Sequence, residues 1–271
     1  MIDTEAFRAF EHDGWQHAAE HYIDAFGTVT IQAAGPLLDA VGAGAGMQVL
    51  DVATGPGFVA AAAAARGAHA VGLDFSAAMI AAAAHRHPGL AFREGDAEAL
   101  PFDRNTFDAV VMNFGLLHLA RPEAAIEEAL RVLKPDRRYA LTVWAPPDQA
   151  AGFGLVLRAI ERFGRLDVDL PEGPPFFRFS SPDECTNALQ RAGFRAVTVR
   201  TIPLSWTLSS PDDLFEAVSR GGVRTAATLR RQTPDALAAI RAAVRESVER
   251  YRAGDRIVLP MPAVLATGTK G

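Results

Sequence analysis

A single cysteine, Cys185, stands among the 271 residues, so no intramolecular disulfide can form, and a reducing compartment fits. No apolar run approaches the length of a membrane span; the longest, near 58–65 and 77–84, are short and rich in alanine. The opening residues, Met1-Ile2-Asp3-Thr4-Glu5, lack the basic and apolar segments of a secretion signal. Positive charge is not in excess either. Lys and Arg number 27 against 32 Asp and Glu, a formal net charge of −5, which disfavours nucleic acid as the main partner. These absences describe a cytoplasmic globular protein with neither membrane nor nucleic acid as its partner. The sequence carries no signal for an oligomeric state.

What is present is an ordinary globular composition, 49% apolar and 22% charged, with one unusual stretch. In Val49-Leu50-Asp51-Val52-Ala53-Thr54-Gly55-Pro56-Gly57 an apolar run ends in an acid and a turn with two glycines. The alanine-rich segment 58–66 then reads as a helix. A strand, a glycine turn and a helix start let backbone approach a nucleotide-like ligand closely. Asp74, Asp96 and Asn113 follow at the ends of further strand-like runs. They are spaced by roughly twenty residues, enough for one β-α step each. Strands are expected at 49–52, 69–74, 90–94, 107–112 and 139–144, with helices at 4–45, 58–66, 77–86 and 122–133. That alternation implies a doubly wound parallel sheet.

After Pro146-Pro147 the rhythm breaks. Ser181-Pro182-Asp183-Glu184 has the chemistry of a capped helix start, and Phe194–Ile202 alternates like a sixth strand. Ser210-Pro211-Asp212-Asp213 and Thr233-Pro234-Asp235 open further helices. Ile257–Ala266 reads as a last strand, interrupted by Pro260 and Pro262. Four regions are expected: N-terminal helices covering the ligand in 1–46, a ligand-binding core in 47–146, lid insertions in 147–256 around the helix and strand of 181–202, and a final core strand in 257–271.

In such sheets, ligands sit beyond the carboxyl ends of the strands. Gly55 and Gly57 remove side chains where a ligand would crowd the backbone. The Asp74 carboxylate can accept both hydroxyls of a ribose, Phe75 can cover a flat base, and Asp96 can accept from an exocyclic amine. Asn113 and Phe114 close the row. Gly55-Pro56-Gly57-Phe58-Val59-Ala60 also satisfies the G-x-G-x-x-A dinucleotide pattern, which leaves an NAD-dependent oxidoreductase as one alternative and a non-catalytic adenosyl-binding module as another. Asp51, just before the turn, would repel a pyrophosphate but suits an ammonium or sulfonium, and Asp96 adds more negative charge. The balance favours a cationic adenosyl ligand.

The chain resembles the class I S-adenosylmethionine-dependent methyltransferases, closest to the small-molecule branch that includes ubiquinone- and menaquinone-type enzymes. The resemblance rests on Val49–Gly57, on Gly72-Leu73-Asp74-Phe75-Ser76 with Met79, and on Gly95-Asp96-Ala97-Glu98-Ala99-Leu100-Pro101-Phe102. Phe107-Asp108-Ala109-Val110-Val111 and Arg131-Val132-Leu133-Lys134-Pro135 extend it. It implies a Rossmann-like, seven-stranded, mostly parallel sheet whose antiparallel strand suits Ile257–Ala266, with helical lid insertions. It implies S-adenosylmethionine as cofactor, S-adenosylhomocysteine as product and a small-molecule acceptor. On this reading Ala53, Thr54, Gly55, Pro56 and Gly57 cradle the methionine and ribose, and Asp74 holds the ribose. Phe75 and Met79 flank the adenine, Asp96 and Ala97 meet its edge, and the Asn113 backbone meets the methionine end. Tyr22 serves as a lid residue. One departure is Asp136-Arg137, where the family has two glycines.

The remaining candidates have two readings each. His118 is either a general base near the transferred methyl or a packing histidine. Trp144 and Trp206 either line an acceptor pocket or fill the core. His17-Ala18-Ala19-Glu20-His21 matches an inverted zinc-protease pattern, but no third ligand accompanies it, and a solvated helix face accounts for it. No metal is expected. The aromatic content of the insertions, including Phe153, Phe163, Phe176, Phe177, Phe179 and Phe215, favours a largely apolar acceptor.

Overall fold

The computed structural model describes residues 3–271; Met1 and Ile2, the start of the stretch read for a secretion signal, lie outside the described residues. The elements in chain order are α1 (Thr4–Tyr22), α2 (Thr28–Thr30), α3 (Ala34–Val41), β1 (Gln48–Val52), α4 (Phe58–Ala65), β2 (His69–Asp74) and α5 (Ala77–Arg86). Then come β3 (Ala91–Glu94), β4 (Phe107–Asn113), α6 (Pro122–Val132), β5 (Leu133–Trp144), α7 (Ala151–Phe163), α8 (Pro182–Ala192) and β6 (Phe194–Ile202). The chain ends with β7 (Ser205–Leu208), α9 (Asp213–Gly221), α10 (Arg224–Arg230), α11 (Pro234–Val248), β8 (Arg252–Ala253), β9 (Arg256–Pro260) and β10 (Ala263–Lys270).

A seven-stranded sheet in the order β3-β2-β1-β4-β5-β10-β6 carries the molecule. β1 pairs in parallel with β2 on one side and β4 on the other. Its apolar run, like the fully buried Phe107–Met112 of β4, suits a strand covered on both faces. The topology reverses between β1 and β4, so a crevice opens beyond their carboxyl ends. β10 lies antiparallel between β5 and β6.

Local chemistry fixes the helix ends. Ser76, Ser181 and Thr233 accept hydrogen bonds from the backbone N–H groups of Met79, Glu184 and Ala236, capping α5, α8 and α11. α9 starts at Asp213, at the end of the expected Ser210–Asp213 helix start, with no capping side chain ahead of it. Asp213 Oδ2, inside the first turn, accepts from the N–H groups of Ser209 and Ser210.

Two expectations need revision, and the departure at Asp136-Arg137 finds its place. The helical N-terminal stretch is not continuous: a wide π-type turn at Ile23–Gly27 and a tight turn at Ile31–Ala33 bend the chain over the sheet. The last strand of 257–266 is two strands. Pro260 and Pro262 lack the N–H that a continuous ladder needs, so the chain breaks at Met261. β9 joins a small sheet, β7-β9-β8, and only β10 enters the main one. Finally, Asp136 lies inside β5 with φ +60°, in a bulge against β4. It holds the left-handed conformation that a glycine would take there, and aspartate tolerates that conformation better than most residues.

The insertions cover the crevice. α7 packs on α11, and α9 packs on α1 and α10. Trp206 on β7 is almost fully buried, its ring 4.9 Å from that of Phe26. Trp206→Ala should therefore lower stability by about 3–5 kcal/mol, read as a lower urea midpoint; a loss under about 1 kcal/mol would show that this sheet is not part of the cooperative core.

Candidate functional site

The loop after β1 is held from below. Asp51 is buried, and its Oδ2 accepts from Thr54 Oγ1 at 2.5 Å and from the Ala60 N–H at 3.0 Å. Among the described residues its Oδ1 has no partner. Burial, opposed by those hydrogen bonds, pushes the carboxyl up to about 7. From the side, the Asp74 carboxylate spans two loops: Oδ2 accepts from the Gly55 N–H at 2.8 Å and Oδ1 from the Ser76 N–H at 3.0 Å. Burial raises Asp74 to about 6. Ala53 and Gly55 both adopt positive φ, and a Cβ added at Gly55 would meet nothing within 4 Å. Gly55 therefore presents open backbone to the crevice.

Gly57 differs. Its φ is +81°, but an added Cβ would lie 2.7 Å from the Phe92 ring. That glycine is required by packing of the loop on β3, which removes the ligand-approach argument for the second glycine of the dinucleotide pattern.

A cavity with about 1040 Å³ of empty space, part of it open to solvent, runs from this rim toward the lid. One end is lined by Ala53, Gly55, Asp74, Phe75, Met79, Asp96 and Ala97. Asn113, Phe114 and His118 line its middle, with Tyr22 and Trp144. Asp51, Thr54, Pro56, Gly57 and Trp206 do not line it. Asp51 and Thr54 are hydrogen-bonded to each other behind the loop, Gly57 packs on Phe92, and the Trp206 ring lies 4.9 Å from that of Phe26. The Asn113 amide is tied down: Nδ2 donates to the Thr30 carbonyl and Oδ1 accepts from Thr142 Oγ1. Phe114 holds a positive φ of 56°, unusual for a bulky side chain, and stacks on Trp144 at 4.0 Å. Tyr22 donates to Thr30 Oγ1, and burial pushes its hydroxyl up to about 12.

The far end is an aromatic box of Trp15, Phe26, Phe153 and Phe176, closed by Val218 and Val223. Phe153 lies 5.8 Å from Phe26, 5.3 Å from Trp144 and 5.7 Å from Phe176. Trp15 meets His118 edge-on at 4.8 Å.

Several polar residues that close the site escaped the sequence reading. α1 is anchored at three points. Arg8 pairs with Asp96 and Glu98, Gln16 Oε1 accepts from Ser76 Oγ and the Ala78 N–H, and Glu11 pairs with His118 and Arg224. The signal for Glu11 lay in the helical period: it shares the stripe of Phe7, Trp15 and Ala18, where a carboxylate should not stand without partners. His17, Glu20 and His21 are on the exposed face of α1, and among the described residues no cluster of three ligand-type side chains could hold an ion.

The sequence profile of a family described as "Methyltransferase domain" matches residues 50–141. A demethylmenaquinone methyltransferase of Beutenbergia cavernae is 42% identical over 175 residues, covering 61% of this chain and 72% of that protein. The chain belongs to the class I S-adenosylmethionine-dependent methyltransferases. A namesake from Renibacterium salmoninarum is 43% identical over 111 residues, covering 41% of this chain but only 47% of the relative. Among solved structures, the YcgJ protein of Bacillus subtilis superposes with a TM-score of 0.56 at 20% identity, over 88% of this chain and 98% of its own. Phosphoethanolamine N-methyltransferase 2 of Haemonchus contortus, solved with S-adenosyl-L-methionine, gives 0.53 at 18%, over 88% and 52%. The oxidoreductase and binding-module alternatives are not favoured by these relationships.

For the methyltransferase, the raised Asp51 carboxyl makes a stability test. Because its folded value lies above its unfolded one, the folded state holds the extra proton between about pH 4 and 7, and its stabilising effect fades as pH rises. Wild-type stability relative to Asp51→Asn should therefore fall from pH 5 to pH 8 in urea titrations. A flat or rising difference would contradict the burial argument.

Proposed function

We propose that this methyltransferase transfers a methyl group from S-adenosylmethionine to a small, largely apolar aromatic acceptor of the quinone-related or phenolic kind. The observation that carries the reading is one continuous cavity with an acidic, glycine-edged end and an aromatic end. The cofactor fits the first end by chemistry: Gly55 leaves space, Asp74 has lone pairs free for ribose hydroxyls, and Asp96 offers an acceptor to an amine. Phe75 and Met79 supply apolar surface for a base, Ala97 edges the same end, and Asn113 adjoins it at the middle of the cavity. When bound, S-adenosylmethionine supplies an electrophilic methyl on a cationic sulfur.

The chain's own work is orientation and exclusion of water. Tyr22, Phe114 and Trp144 face the junction of the two ends, where aromatic faces attract a sulfonium. Holding an acceptor in line there can supply up to about 7–11 kcal/mol of the barrier. The aromatic box accommodates a flat apolar ring and leaves few polar partners for a charged acceptor. The transfer is proposed to need no metal. The curated relatives' names support a quinone-type acceptor, although the alignments cover from about half to seven tenths of their lengths. A cytoplasmic setting is part of the same proposal and rests on the single cysteine, buried in α8.

Calorimetric titration with S-adenosylmethionine tests the cofactor end. Binding should weaken at least tenfold in Asp74→Ala, and in the wild type it should weaken as pH falls through about 6, where Asp74 gains a proton. Unchanged affinity in the variant would remove Asp74 from the site. A labelled-methyl screen tests the acceptor end: naphthoquinol and phenol acceptors should be methylated, and turnover confined to polar amines would contradict the reading.

A further inference from the structure

Glu11 is fully buried although it is charged, and it is the α1 anchor that reaches deepest. Its Oε2 lies 3.0 Å from His118 Nδ1, and its Oε1 accepts from Arg224 Nε at 2.7 Å. Arg224 is itself held in place on all three nitrogens. Its two other nitrogens donate to the carbonyls of Pro174 and Leu117, and its guanidinium lies over the Phe7 ring at 4.4 Å. Each Arg224 nitrogen is thus tied to protein, and the guanidinium keeps Glu11 ionised. Burial alone would raise the Glu11 carboxyl, but its hydrogen bonds to His118 and Arg224 and the guanidinium charge hold it below its ordinary range.

An ionised carboxylate accepts only. Glu11 thus selects the His118 tautomer with the proton on Nδ1, which leaves Nε2 with a free lone pair. Among the described residues Nε2 has no hydrogen-bond partner, and the ring lines the cavity between the cofactor end and the aromatic box. Trp15 and Phe176 meet that ring edge-on at 4.8 and 5.8 Å and fix its plane.

We infer that Glu11, delivered by the covering helix α1, is a positioning residue that makes His118 Nε2 a general base, and that the acceptor is activated by losing a hydroxyl proton. This deepens the methyltransferase reading and rests on it. The acceptor O–H bond breaks, the proton passes to Nε2, and the electron pair stays on the phenol- or enol-type acceptor, which is then able to take up the methyl group at oxygen or at a conjugated carbon. The S–CH₃ bond breaks as the new bond forms, its electron pair staying on sulfur. In the carbon case the ring proton displaced by the methyl returns through water to the oxygen, so that in either case one proton is released overall, from Nε2 to water as the product departs. An amine acceptor, already nucleophilic when neutral, makes weaker use of such a pair. Because the carboxylate and the histidine stand on different elements, the base is complete only while α1 is docked. That couples covering of the site to its chemistry.

The groups facing His118 are Glu11 and Arg224 on the Nδ1 side. Around the outer opening that His118 also lines stand Glu5, Arg8, His12, Glu94, Asp96 and Glu98. Among these, Arg8 neutralises Asp96 and Glu98, with Arg121 sharing Glu98.

Two measurements decide the matter. Nitrogen-15 NMR of histidine-labelled protein should show His118 protonated at Nδ1 and bare at Nε2 near neutral pH, and Glu11→Gln should abolish that preference. A proton on Nε2 in the wild type overturns the proposal. This readout needs no cofactor, so failure to bind S-adenosylmethionine would sink the methyltransferase reading and leave the tautomer result standing. With S-adenosylmethionine and ring-substituted 1,4-dihydroxynaphthalenes of graded acidity, His118→Asn should lower kcat about 100-fold or more and Glu11→Gln about 10–100-fold. Cofactor affinity should be unchanged in both. The deficit of each variant should shrink for more acidic acceptors and at higher pH. A loss equal for all acceptors, normal turnover in either variant, or no methylation of any member by a cofactor-binding enzyme contradicts it.

Discussion

The Asp74 carboxylate is the joint on which the site is built. With Gly55 on one oxygen and Ser76 on the other, it fastens the loop after β1 to the helix start after β2. Both loops owe their position to parallel strands paired in register. Right-handed crossovers deliver every such loop to the same rim, but only a shared buried acceptor fixes their mutual distance. The arrangement is costly, since burial raises Asp74 and the neighbouring Asp51 well above ordinary aspartates. Two poorly solvated acids beneath a crevice amount to stored negative potential. A cationic ligand relieves that potential, whereas a pyrophosphate would add to it.

Above this rim the fold adds a ceiling rather than a second domain. α1 crosses the crevice, held by Arg8, Glu11 and Gln16, while α9 and α10 close the far side. The Glu11 anchor is worth the most for being buried, because breaking one partner strands the other; removing one member of a buried pair costs about 3–5 kcal/mol. The result is polar fastening at the cofactor end and aromatic packing at the acceptor end. That division lets one helix serve both as a cover and as a source of catalytic geometry.

How much of this was legible in the sequence follows from the range of the interactions. Strand and helix starts were readable because their signals are local: Ser76 caps α5 three residues on, and the apolar run of β4 announces burial. The rim residues were readable because a regular β-α step places them without knowledge of packing. The two-strand ending was missed in part: Pro260 and Pro262 flagged a break, but no local rule sends β9 to β7. Gly57 and Asp51 were given ligand roles, and both also support the loop: Phe92 packs on Gly57 from another strand, a contact only the fold shows, and Asp51 accepts from Thr54 and Ala60. Trp206 meets Phe26 by a contact that likewise only the fold shows. Arg224 pairs with Glu11 across 213 positions of sequence, a distance no motif spans.

The central claim is that one cavity holds an adenosyl donor at the Asp74 rim with its sulfur turned toward the aromatic box. A crystal structure of the protein with S-adenosylhomocysteine tests it most directly. The account predicts ribose hydroxyls on the Asp74 carboxylate, the base between Phe75 and Met79, and the sulfur facing Tyr22, Phe114 and Trp144. A ligand seated elsewhere, or a sulfur pointing away from the box, would contradict it.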